Sequence, residues 1–208
     1  MKASTLSKLL MIFVLALLGA CKFDMSYEIW LNADDSGKAR METSVSLPKM
    51  EGTMDIEDTI TNDNSYSEMA QLIEETEGAE LIGYDYKIDQ TETEVVVTYF
   101  IDFSFNNVQT LQKVIIPDYE DGISIARKGK DKELTIDAMK LTIDTENQLQ
   151  EYLSFLDMNM KIKLNLPSAA KNVNPVYEGL NKQKELIWDF HLDDEWADKE
   201  SHTITVTY

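Results

Sequence analysis

Alternation of apolar and polar residues at spacing two limits this chain's folding choices more than any other feature. In Glu94–Phe105, Val95, Val97, Tyr99, Ile101, Phe103 and Phe105 fall on one side. Successive side chains of a strand point to opposite faces, so β-branched and aromatic residues at this spacing predict a strand with one buried face. The pattern recurs in Ser26–Ala33, with Tyr27, Ile29 and Leu31 against Glu28, Trp30 and Asn32. It recurs again in Lys38–Leu47, with Ala39, Met41, Val45 and Leu47 against Arg40, Glu42, Ser44 and Ser46. Ala79–Ile88 sets Ile82, Tyr84, Tyr86 and Ile88 on one face, and Met158–Leu166 does the same with Met158, Met160, Ile162, Leu164 and Leu166.

The segments between these runs predict how they connect. Asp34-Asp35-Ser36-Gly37 reads as a hairpin turn, with Gly37 free to take positive φ. Ile123–Arg127 and Glu133–Ala138 flank Lys128-Gly129-Lys130-Asp131 as a second hairpin, and Glu185–Leu192 with Ser201–Tyr208 as a last one. Three stretches have helical spacing. Tyr66–Glu77 has Ser65 and Glu68 as a capping box and Gly78 as its stop. Val108–Ile115 has Asn106 or Asn107 as cap and Pro117 beyond its end, and Glu146–Leu156 follows Thr145. Ser168–Leu180 reads as a loop. Most connections are short, hence antiparallel pairing, and there is no regular βα alternation. The expectation is an α+β fold: a curved, mostly antiparallel sheet of about eight strands, with two or three helices packed on one face.

Length and charge narrow the function. The 208 residues fit one domain, and no internal repeat divides them. Nineteen Lys and Arg against 38 Asp and Glu give a net charge of −19, which opposes binding to nucleic acid or electrostatic docking on anionic lipid. A single Cys allows neither an internal disulfide nor a Cys-rich metal site.

That Cys stands at an informative place. Lys2 and Lys8 precede the run Leu9–Ala20, in which only Gly19 is not apolar. A basic start, a short apolar run and small residues at its end make a secretory signal, too short for a relaxed membrane span. Leu18-Gly19-Ala20-Cys21 resembles the bacterial lipobox. The resemblance implies cleavage between Ala20 and Cys21, with diacylglyceryl on the Cys21 sulfur and acylation of the new α-amine. Residues 1–20 would then be a lipoprotein signal and 21–25 a tether to a domain reaching residue 208. Removing the signal takes away two Lys and no acid, so the charge becomes −21. The membrane is then a partner only through acyl chains on Cys21. The expected location is the bacterial cell envelope: the outer membrane in a diderm, since Lys22 and not Asp follows the Cys, and otherwise the exterior of the plasma membrane.

A wider likeness follows the order of elements. After the lipobox comes Tyr27 to Gly37, of the form Y-x-I-x-L-N-x-D-x-S-G. Later an aromatic-rich strand runs into a short helix from Tyr99 to Ile115. Near the end, Leu164-Asn165-Leu166-Pro167 precedes Asn172 to Asn174 and a strand with Trp188. This resembles the LppM-like domain of bacterial lipoproteins, over Cys21 to Tyr208. Many relatives have a small residue or Gly after the closing Pro and a C-terminal membrane helix, whereas Ser168 follows Pro167 here. The resemblance implies an extracytoplasmic α+β domain without catalytic chemistry, one that touches lipids or envelope components.

The residues themselves offer little catalysis. His191 and His202 are the only His, and no G-x-S-x-G exists. They are expected on one hairpin as surface or edge residues. H-E-x-x-H is absent, and Asp34-Asp35-Ser36-Gly37 lacks an EF-hand register, so no metal and no cofactor is expected. The sharper idea is binding: Trp30, on the more polar face of its hairpin, with Tyr84 or Tyr86, lining a groove for a lipid, a glycan or an envelope protein. Trp188 is expected in the core and Trp196 as a plug over a sheet edge. The function expected is that of a non-enzymatic, lipid-anchored envelope protein binding a partner protein or amphipathic ligand. The alternative from another class is an extracytoplasmic hydrolase using paired carboxylates, with or without calcium.

Overall fold

The computed structural model describes residues 22–48, 65–117, 119–141, 157–175, 183–193, 196 and 202–208. Among these residues ten strands and two α-helices follow one another: β1 (Lys22–Leu31), β2 (Gly37–Pro48), α1 (Ser65–Glu75), β3 (Ala79–Gln90), β4 (Glu94–Phe105), α2 (Val108–Ile115), β5 (Ile123–Lys128), β6 (Asp131–Asp137), β7 (Asp157–Asn165), β8 (Asn172–Asn174), β9 (Glu185–His191) and β10 (Thr203–Thr207). A 3₁₀ turn, Met139–Leu141, follows β6. The helix expected over Glu146–Leu156, the loop after Pro48 and the Ser65 side chain lie outside the described residues, as does Cys21.

The α+β composition stands, but the single eight-stranded sheet does not. Six strands form one sheet in the order β3-β4-β2-β1-β7-β9, and four form another in the order β5-β6-β10-β8. Period two states which side chains are buried but not which strands pair, and a sheet with one apolar face needs a second layer to cover it. Here Ile123, Leu134, Ile136, Val173, Ile204 and Val206 of the small sheet join the same core as Ile29, Phe103, Ile162 and Leu164 of the large one. Ile73 of α1 and Val108, Leu111 and Val114 of α2 enter that core too.

Pairing corrects three further expectations. β9 and β10 do not form a hairpin: β9 pairs with β7 in the large sheet, and β10 pairs with β6 and β8 in the small one. Asn172–Asn174, inside the expected loop, is the fourth strand of the small sheet. β1 and β7 run parallel, from Lys22↔Asp157 to Trp30↔Asn165. A parallel pair needs a long crossover, and more than a hundred residues separate these strands in sequence. The expected tether is also strand, because Phe23 and Met25 extend the alternation of Tyr27, Ile29 and Leu31, and Met25 is buried.

Two local features fix how the elements enter and leave. In the β1–β2 turn it is Asp35 that takes positive φ (71°), a conformation Asp tolerates better than most residues. Lys132 of the small sheet holds this turn by donating to Asp35 Oδ1 at 2.6 Å and the Ala33 carbonyl at 2.7 Å. Gly37 serves by being small: a Cβ there would lie 2.0 Å from the Trp30 carbonyl oxygen. Helix α2 starts as expected, with the Thr110 N–H donating to Asn107 Oδ1 at 2.9 Å. Its buried Gln112 donates to the Tyr119 carbonyl at 2.9 Å and accepts from the Ile123 N–H at 3.1 Å, which sets the start of β5.

Two core tyrosines make the fold sensitive to alkali. Tyr27 is buried and donates to the Leu141 carbonyl at 2.8 Å, and burial pushes its phenol well above the usual range. Tyr208 is buried with no hydrogen-bond partner for its hydroxyl among the described residues, and burial, with Asp35 adding repulsion, pushes it up to about 12. Above pH ~10 the unfolded chain releases phenol protons that the folded chain keeps, so stability falls with rising pH. Each tyrosine contributes a slope of at most about 1.4 kcal/mol per pH unit. For Tyr208 the loss runs from pH about 10 to about 12. Urea unfolding at stepped pH checks this: Tyr208→Phe should flatten the slope in that window, and an unchanged slope refutes the assignment.

Candidate functional site

The apolar face of the large sheet is a lattice of rows crossing all six strands. One row reads Tyr84, Ile101, Met41, Tyr27, Ile162, Trp188 from β3 to β9. The next reads Tyr86, Tyr99, Thr43, Met25, Met160, Phe190. At the β7 end these side chains are core, with Ile162 and Met160 fully buried and Trp188 nearly so. At the β3 end the rows come out into solvent, where Tyr84 is 58 % and Tyr86 41 % exposed. The Tyr86 and Tyr99 rings lie 6.2 Å apart at 46°, a tilted contact that fixes the Tyr86 ring at the margin of the face.

Beneath them, Val95 and Val97 form a second buried cluster, flanked by Ile88 and Tyr99. The face therefore stays apolar along the whole length of β4, beyond the part that the small sheet and α2 cover. Ile82 adds to the same margin at 55 % exposed, though not as expected. The pairing of β3 with β4 slips between Leu81 and Gly83, so Leu81 shares a face with Tyr84, Tyr86 and Ile88, and Ile82 is the extra residue of a bulge. A bulge of this kind leaves only a weak trace in sequence, the Ile82-Gly83 step inside a strand pattern.

The opposite face is polar and spends its charges on one another. Arg40 donates to both carboxylate oxygens of Asp102, at 2.7 and 2.8 Å, and this pairing raises its pKa. Lys163 lies 2.9 Å from Glu28 and 3.2 Å from Glu185, and its pKa rises for the same reason. Trp30 stands on this face, beside Lys38 and Asn165. Trp30 and the tyrosines are thus on opposite faces, with β2 and β4 between their strands, and the structure does not bring them into one groove. Each pair in the register carries the face across, so an odd offset in sequence along β1 (Tyr27 to Trp30) ends on the other side of the sheet.

The histidines are on separate elements: His191 ends β9 in the large sheet, and His202 immediately precedes β10 of the small one. His191 Nδ1 is 3.0 Å from Asn159 Oδ1 and 3.7 Å from Asp157. His202 stacks on Trp196 at 4.3 Å, with Nε2 2.6 Å from the Trp196 carbonyl oxygen. These partners place neither ring beside a nucleophile. Trp196 is buried, packed between Phe190 of the edge strand β9 and His202. Among the described residues, no group of three or more His, Cys, Asp or Glu is close enough to hold a metal ion.

Comparison with models of known protein families and with curated protein sequences gives no match to this chain.

Proposed function

We propose that this chain is a lipid-anchored protein of the bacterial envelope, with an LppM-like domain that binds an amphipathic ligand or a partner protein along β3 and does no catalysis. The observation that carries the binding reading is the emergence of the apolar rows into solvent at Tyr84 and Tyr86. Large exposed apolar side chains in one continuous patch mark contact surfaces more often than scattered ones do. Tyrosine suits such a surface, since its ring gives apolar area and its hydroxyl stays wet. The ion-paired acids of the other face also favour binding over hydrolysis, which would need a carboxylate kept free beside a second one. The lipobox at Leu18–Cys21 supports the anchor and, through it, the envelope location: outer membrane in a diderm, plasma membrane exterior otherwise.

The test is purification of the full chain from its own host in mild detergent, beside a Tyr84→Ser/Tyr86→Ser double variant. Mass spectrometry of the lipid extract and of copurifying protein should show a species with the native chain that the variant loses. Equal recovery from both, with the native chain and the variant of the same monomeric mass, overturns the reading. Both tyrosines are exposed, so the variant should fold normally.

A further inference from the structure

β3 is an edge strand of twelve residues, and among the described residues it pairs with β4 alone. Beyond the bulge, Tyr84 to Lys87, Asp89 and Gln90 are all exposed. A long exposed edge presents unpaired backbone N–H and C=O groups, a template for another strand, and proteins commonly blunt such an edge with a charge. Here the Asp85 carboxylate accepts from the Tyr86 N–H at 2.8 Å, a bond that a pairing strand would replace. On the outer face β3 carries Asp85, Lys87 and Asp89, and the Lys87 ammonium now sits 2.6 Å from Asp89, both side chains more than half exposed.

We infer that β3 pairs antiparallel with β3 of a second copy of this chain, about a two-fold axis at Tyr86, joining two six-stranded sheets into one. The inference rests on β3 being the binding surface proposed above, and names its occupant. Self-complementarity of the strand carries it. Read against itself about Tyr86, the strand sets Asp85 opposite Lys87 of the second copy, and Lys87 opposite Asp85 of the second copy. On the apolar face it sets Tyr84 opposite Ile88, twice, and Tyr86 opposite Tyr86. Opposite charges and aromatic or β-branched pairs directly across a strand are the pairs that stabilise a sheet.

Neighbouring registers of the same parity are worse. Centred on Asp85 or on Lys87, the strand sets like charges against each other. Centred on Ile88, it restores Lys87 against Asp89 but sets Tyr84 against Glu92. A two-fold axis also makes the contact isologous and closed, so pairing stops at a dimer instead of growing into a fibre. The bulge at Ile82 ends the straight segment on one side. The processed chain's net charge of −21 repels the two copies at long range, and salt screens that repulsion over a Debye length of ~8 Å at physiological ionic strength.

The test uses the full chain in detergent micelles. Sedimentation should give a protein mass of two chains, and Lys87→Glu should weaken dimerisation about tenfold or more, since it makes two attractive pairs repulsive. The swap Asp85→Lys/Lys87→Asp should restore it. The chain has one native Cys, so a new one reports register: Tyr86→Cys should cross-link to itself on mild oxidation, while Tyr84→Cys and the native chain should not. A native chain that remains monomeric up to roughly 100 µM overturns the proposal. So does a dimer indifferent to Lys87→Glu, or a cross-link at Tyr84→Cys in place of Tyr86→Cys. A monomer that still carries an amphiphile or another protein lost with Tyr84→Ser/Tyr86→Ser refutes self-pairing and leaves the binding surface standing.

Discussion

Exchanging Cys21 for serine is expected to move the protein from the membrane pellet to the soluble fraction. Each buried CH₂ of an acyl chain contributes ~0.8 kcal/mol, so one chain holds marginally, and two or three hold for as long as the protein lasts. A serine hydroxyl cannot accept the diacylglyceryl group, so the processed Cys21→Ser chain has no acyl anchor. Nothing described in the structure replaces that attachment. No helix among the described residues is long and apolar enough to cross a membrane. The acidic domain gains nothing from anionic headgroups. Fractionation followed by high-salt and carbonate washes reads the result. If the Cys21→Ser chain stays in the pellet through both washes while a processed, folded domain is confirmed by protease resistance, the lipoprotein reading fails.

Replacing Phe103 with alanine should cost about 3–5 kcal/mol, close to the whole stability of many domains this size. Phe103 is fully buried, sits near the C-terminal end of the interior strand β4 and contacts the Phe105 ring at 6.4 Å. It belongs to a row that runs through Ala39, Ile29, Leu164 and Leu186, where both sheets and α2 meet. The surrounding residues are held by hydrogen-bonded strands on both sides, so they cannot close the space left behind. Val96, on the other face of the same strand, is only half-buried, and its alanine variant is the comparison. Urea unfolding of the two variants should differ by more than 2 kcal/mol. Similar values for both would mean that the core is not organised around this row.

How far the sequence disclosed this structure depended on distance along the chain. Helix α2 was legible at both ends, because Asn107 caps it through its own side chain and Pro117 lies just beyond. The β1–β2 and β5–β6 hairpins were legible because a turn joins strands adjacent in sequence. The parallel pairing of β1 with β7 was not, and neither was the division into two sheets. Both depend on which apolar faces meet after more than a hundred residues of intervening chain, and no local spacing encodes that. The role of the turn glycine was hidden for a different reason. Gly37 is required by the closeness of the Trp30 carbonyl, and the positive φ moved to Asp35, whose side chain and Lys132 contact stabilise it. At the candidate site, the exposure of Tyr84 and Tyr86 depended on β3 being an edge, which period two does not state. Their separation from Trp30 follows from strand order and register alone.

The parallel partner of β1 has a mechanical consequence. On the anchoring proposed here, the membrane attachment is one residue before Lys22, the first residue of β1. β1 is an interior strand, matched to β2 over ten residues and to β7 over nine. A pull on the domain would load β1 along its own axis, and both ladders would resist together in shear instead of opening one bond at a time. A domain attached this way can carry tension between the membrane and whatever it holds.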